Sequence, residues 1–120
     1  MTHHQRVEDY LQHITEAIIR ATGYLQYTDN FASFQQDQRS QDAVVRNIEI
    51  IGEAVTKIYK IAPDFIAEHP EIPWAQMRAM RNLVIHEYFF VDLEIVWNTV
   101  KTDLPLLQQQ VENVHLQQRE

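Results

Sequence analysis

Cysteine is absent from this chain, which removes disulfides and thiolate metal sites as ways of holding it together. Glycine occurs twice and proline four times. So few turn formers leave little room for hairpins and favour long helices. The sequence offers neither an apolar run long enough to span a bilayer nor a signal-peptide pattern. A cytoplasmic protein without a membrane partner is therefore expected. Positive charge is also scarce: 10 Lys and Arg stand against 17 Asp and Glu, a net charge of −7. A negative surface repels nucleic acid unless positive groups gather locally, so general DNA binding is not expected. Clusters of His, Asp and Glu with metal-ligand spacing are lacking as well, and neither metal nor cofactor is predicted.

What is present is helical periodicity. The 120 residues are of a length for one domain, read as 1–120 with a polar C-terminal tail from about 112, of which the last five residues, 116–120, are expected to fray. Residues 5–27 carry Tyr10, Ile14, Ala17, Ile18 and Ala21 at three- and four-residue spacing. Phe31 and Phe34 are placed to dock from one short helical turn. A stronger helix spans 41–62, with Ser40 as its expected N-cap and a wide apolar face from Val44 to Ala62. Gly52 interrupts that face. A glycine inside a helix costs about 1 kcal/mol against alanine, so close packing of another helix is expected there. Pro63 ends the helix, Pro73 opens the next, Asp92 caps a later one and Pro105 should kink or interrupt it. The fold class read from this pattern is all-α, an up-and-down bundle of four to five helices.

Two groups of polar residues lie inside these helices. Arg46, Glu49 and Glu53 form a line at i, i+3 and i+7. It suits a solvated face with a weak salt bridge, and equally a line supporting a site or facing a second subunit. The segment "MRAMRNLVIHEYFF", residues 77–90, sets Arg78, Arg81, Asn82, His86 and Tyr88 among apolar side chains. Arginine can hold a phosphate through two parallel hydrogen bonds, and histidine moves protons near neutral pH. On a regular helix Arg81 and His86 stand roughly 140° apart, so a bend or a second chain would be needed to bring them together. From the residues alone, a structural histidine and a rim arginine account for the pair more readily than a phosphodiester site does. His13 is expected to pair with Glu16 on the surface.

The motif settles on a resemblance. "RNLVIH", residues 81–86, is similar to the arginine–polar–three–histidine pattern of the HEPN superfamily, and "RNLVIHEYF" resembles its HepT branch, also called DUF86. "RNIEIIGEA" (46–54), "IPWAQMRAMRN" (72–82) and "FVDLEIVWNTV" (90–100) resemble the flanking segments of that branch in the same order, so the likeness covers about residues 5–107. Glu87 and Phe90 stand where many relatives carry glycine. The resemblance implies a homodimeric HEPN-like bundle, and the apolar excess on the helix of residues 74–88, from Trp74, Met77, Met80, Ile85, Tyr88 and Phe89, is expected at its interface. It also implies the toxin of a type VII toxin–antitoxin system and a metal-independent endoribonuclease acting on RNA, such as a tRNA or an mRNA. It implies Arg81 and His86 as the catalytic pair, with Asn82 between them and Arg78, Arg46, Glu49 and Glu53 in support. It further implies that Tyr88 is AMPylated by a cognate MntA-like nucleotidyltransferase antitoxin. The alternative is a catalytically weak helical module of the same fold that binds a nucleotidyltransferase partner or a nucleotide.

Overall fold

Val7, Leu11, Ile14, Ile18, Ala21 and Leu25 recur every three or four residues along helix α1 (His3–Leu25), and all are buried. The computed structural model describes the backbone of residues 3–28, 30–85 and 92–119, and the side chains of 6–28, 30–82 and 92–118. Among them are the short α2 (Phe31–Gln35), the long α3 (Gln38–Ile61), the short α4 (Pro63–Glu68), α5 (Trp74–Ile85), α6 (Leu93–Asn98) and α7 (Leu104–Arg119), with no strand. A π-helical segment, Thr99–Asp103, joins α6 to α7. The long elements make an all-α bundle in which α3 packs between α1 and α5, and α7 packs on the other side of α1. The core is one contiguous apolar cluster, and each fully buried aliphatic side chain in it stabilises the fold by about 1.5–3 kcal/mol.

The local chemistry explains most element ends. Asp92 accepts from the Glu94 and Ile95 amides at 3.1 and 3.2 Å, the N-cap the sequence predicted for α6. Ala62 closes α3, and Pro63 opens α4 where its missing N–H costs nothing. Phe31 and Phe34 both turn toward Trp97, with ring centroids 5.9 and 5.5 Å away.

Three expectations change. The cap of α3 is Asp37, not Ser40: Asp37 accepts from the Ser40 amide at 3.1 Å and from its hydroxyl at 2.7 Å. The helix therefore starts at Gln38, three residues earlier than expected. These two bonds hold the Asp37 carboxyl below its usual range, so the stability they add is present at neutral pH and is lost as pH falls through that lowered value. Glu16 takes Gln12 and Arg20 as partners, while the His13 ring meets Tyr10 edge-on. The C-terminal segment is helical to Arg119 because Val111 and Val114 are buried against α1 and His115 Nε2 lies 3.4 Å from Glu8 Oε1.

Pro105 interrupts the last helix without stopping it. Its ring would press on the carbonyl four residues back in a regular α-helix. The chain widens instead, and the Leu104 amide donates to the Thr99 carbonyl, five residues back.

Candidate active site

Helix α5 carries the motif as far as Ile85, and the start of the helix is fixed firmly. The Trp74 indole Nε1–H donates to the His69 carbonyl at 2.9 Å, and the Trp74 ring meets Phe65 at 5.9 Å. Trp74, Met77 and Met80 are buried within the chain's own core. Their apolar surface was expected to serve a dimer interface; here it joins α5 to the rest of the bundle.

The burial of those residues defines the inward stripe of α5, and Arg81 falls on it. At about 100° per residue, Arg81 projects between Trp74 and Met77. An apolar side chain belongs at such a position, yet Arg81 is exposed. Gly52 on α3 resolves the conflict. A Cβ at Gly52 would lie 2.8 Å from the Arg81 Cβ and 3.4 Å from the Arg78 carbonyl oxygen. With hydrogen in that place, the α5 backbone comes down onto α3 at Arg81. The arginine stem is seated between the helices while the guanidinium reaches out to solvent.

Arg78 lies one turn earlier. Its guanidinium carbon sits 5.0 Å from the centroid of the Tyr59 ring, also on α3. As α5 advances from Arg78 to Arg81, its neighbours on α3 run back from Tyr59 to Gly52, so the two helices are antiparallel. Asn82 is exposed beside Arg81. Among the described residues, no carboxylate lies within ion-pairing distance of Arg78 or Arg81. Arg46 and Glu49 pair with each other at 3.5 Å, an exposed contact worth a few tenths of a kcal/mol. Glu53 is exposed. The structure thus brings Arg78, Arg81 and Asn82 together on one helix. It gives Arg46 and Glu49 to each other, and His86 and Tyr88 lie outside the described residues, as do Glu87 and Phe90.

Two residues that sequence reasoning did not connect to this site are Gly52, as the seat of Arg81, and Tyr59, as the platform of Arg78. They are seven apart on α3, hence on one face, a spacing that would have paired them with the arginines had the helix register been known. A groove of about 620 Å³ lies elsewhere, between α5 and α7, lined by Met80, Leu106 and Leu107 among others. It is largely apolar and holds no arginine. The described residues contain no group of three or more His, Cys, Asp or Glu able to hold a metal ion, and no described helix is long and apolar enough to cross a membrane.

The chain has counterparts among known proteins. Residues 14–114 match the family described as Ribonuclease HepT-like. The chain is 43% identical over 107 residues to "Probable ribonuclease HepT" of Thermococcus cleftensis, covering 89% of this chain and 94% of that one. It is 37% identical to a "Putative RNase" of Caldanaerobacter subterraneus subsp. tengcongensis over 88% of this chain and 90% of that one. It is 34% identical to another protein of that description from Methanocaldococcus jannaschii, over 90% and 95%. Comparison with solved structures found no match. An all-α bundle of this architecture, matched over most of its length, belongs to the ribonuclease HepT-like family.

Proposed function

We propose that this protein is a cytoplasmic toxin that cleaves RNA without a metal, with Arg81 and His86 as its catalytic pair. The observation that carries this reading is the arginine seated in the α3–α5 seam over Gly52, its charge left to solvent, in a chain of the ribonuclease HepT-like family. In this mechanism the neutral His86 imidazole takes the proton of a ribose 2′-hydroxyl. The 2′-oxygen forms a bond to phosphorus and the bond to the 5′-oxygen breaks, the departing oxygen being protonated from water. Arg81 holds the phosphate and offsets the charge that grows on it. Positioning and charge stabilisation carry the reaction, since the nucleophile comes from the substrate. Asn82 orients the imidazole or contacts the phosphate.

The reading includes neutralisation. A nucleotidyltransferase antitoxin transfers AMP to the Tyr88 hydroxyl, and the added phosphodiester competes with RNA for the arginines. Purified protein should cleave RNA in excess chelator and leave 2′,3′-cyclic phosphate ends. After co-expression with a cognate nucleotidyltransferase, intact-mass measurement should show one or more AMP units in wild type and none in Tyr88→Phe, which should remain toxic. Neutralisation of wild type with no gain in mass would remove Tyr88 from the mechanism. RNA binding with no cleavage would leave a binding module.

A homodimer is part of the same proposal. Family membership supports it, as do Ile95 and Leu106, which are large apolar side chains left exposed. Light scattering at micromolar concentration should give twice the 14.2 kDa chain mass; a strict monomer there would refute it.

A further inference from the structure

Arg78 and Arg81 stand one turn apart on α5, held in different ways. Arg81 is gripped by its stem over Gly52. Arg78 is held by its head, the guanidinium carbon lying over the Tyr59 ring 5.0 Å from its centroid. This cation–π contact occupies one side of the guanidinium and leaves N–H groups that can bond a phosphate. The contact also restrains the side chain before any ligand arrives, so less rotamer freedom is lost on binding. Residues three apart on a helix have Cβ atoms about 5–6 Å from each other, a step that two long side chains can match to neighbouring phosphates of one strand. In a chain of net charge −7, two exposed arginines on one turn, with no carboxylate among the described residues in pairing distance of either, mark a local positive strip. Its long axis is the axis of α5.

We infer that Arg78, preset by Tyr59, is a second phosphate-binding residue: single-stranded RNA runs along α5 with the phosphate to be cut at Arg81 and an adjacent phosphate on Arg78. This rests on the reading of Arg81 as the phosphate holder. It makes substrate length part of recognition, because a substrate with a single phosphate uses one arginine and a longer strand uses both. Tyr59 acts through Arg78 and is a positioning residue.

The test compares a dinucleoside monophosphate with an oligonucleotide for wild type, Arg78→Ala, Tyr59→Leu and Tyr59→Phe. Arg39→Ala is the control, since it removes one exposed positive charge at the start of α3, about 20 Å along that helix from Gly52. Arg78→Ala should raise KM for the oligonucleotide about tenfold, with kcat changed much less, and should lose far less on the dinucleoside. Tyr59→Leu should move KM in the same direction, while Tyr59→Phe, which keeps the ring, should resemble wild type. Fluorescence anisotropy with a 2′-O-methyl oligonucleotide, which cannot be cut, reads binding alone. The slope of log affinity against log salt should be shallower by about 0.7 in Arg78→Ala and unchanged in Arg39→Ala. An equal loss on both substrates, or an unchanged salt slope, overturns the proposal. If wild type cuts neither substrate, the nuclease reading fails, and the salt slope still decides whether Arg78 holds a phosphate.

Discussion

Arg81→Ala should lower RNA cleavage by about a hundredfold or more, and His86→Ala should do the same. On the proposed mechanism one removes the fork that holds the phosphate and the other the group that moves the proton, and neither can stand in for its partner. Loss of one well-placed charge-stabilising interaction costs roughly 3 kcal/mol in the barrier, a factor of about a hundred. The double variant should be little worse than either alone, because groups acting on one transition state are not additive. Arg81→Lys should rescue poorly, since a point charge lacks the two parallel hydrogen bonds. The fold should persist in Arg81→Ala for a reason visible in the structure. What packs against Gly52 is the Arg81 Cβ, which alanine keeps. Melting temperature and circular dichroism close to wild type, with activity gone, is the expected outcome. Full cleavage by either variant, with contaminating nuclease excluded, would end the catalytic assignment.

Substitution of Gly52 is the second large effect, and its size should grow with the side chain. Alanine places a methyl carbon 2.8 Å from the Arg81 Cβ and 3.4 Å from the Arg78 carbonyl oxygen. Neither is the loose end of a flexible side chain, so the helices themselves must separate. Overpacking of this kind costs about 1–3 kcal/mol, and the better helix propensity of alanine returns about 1 kcal/mol. Gly52→Ala should therefore be only mildly destabilised, by about 1 kcal/mol. Gly52→Val adds branching at the tightest point and should lose about 3 kcal/mol or more. Cleavage should fall further than stability in both, because a shift of a few tenths of an ångström in Arg81 spoils the phosphate geometry. Denaturant titration of Gly52→Ala in an Arg81→Ala background separates causes. The same destabilisation should appear there, since the Cβ contact remains. If it vanishes, the guanidinium rather than the stem is what Gly52 accommodates.

Much of the bundle was readable before any coordinates. The stripe of α1, the cap at Asp92, the stop at Pro63 and the docking of Phe31 and Phe34 follow from spacing and side-chain chemistry, which act over a few residues. Ser40 has the side chain of a cap, but Asp37 starts the helix three residues earlier and takes the Ser40 amide and hydroxyl, and spacing alone does not rank the two. Trp74, Met77 and Met80 were assigned to a dimer face. Periodicity says which residues share a face, but not whether that face meets its own chain or another. The same limit hid the seat of Arg81. Gly52 was legible as a point of close packing, yet which residue of which helix fills it depends on the register between α3 and α5, and neither helix encodes that alone. The polar end at 116–120 suggests fraying, while the helix runs on to Arg119, anchored just upstream by the buried Val111 and Val114.

The widened turn at Thr99–Asp103 acts as a phase adjuster. One residue more than an α-turn needs is stored there, so α6 and α7 share a path while their inward sides are set independently. Val96 and Val100 are aimed by one half, and Leu104, Leu107, Val111 and Val114 by the other. Were the segment to tighten to ordinary pitch, everything beyond it would turn by about 100° about the helix axis. Val111 and Val114 would then swing away from α1, and Gln110 or Asn113 would come round toward the core. Single-residue insertions and deletions in this stretch therefore act on the far end of the chain, where the sequence itself is unchanged.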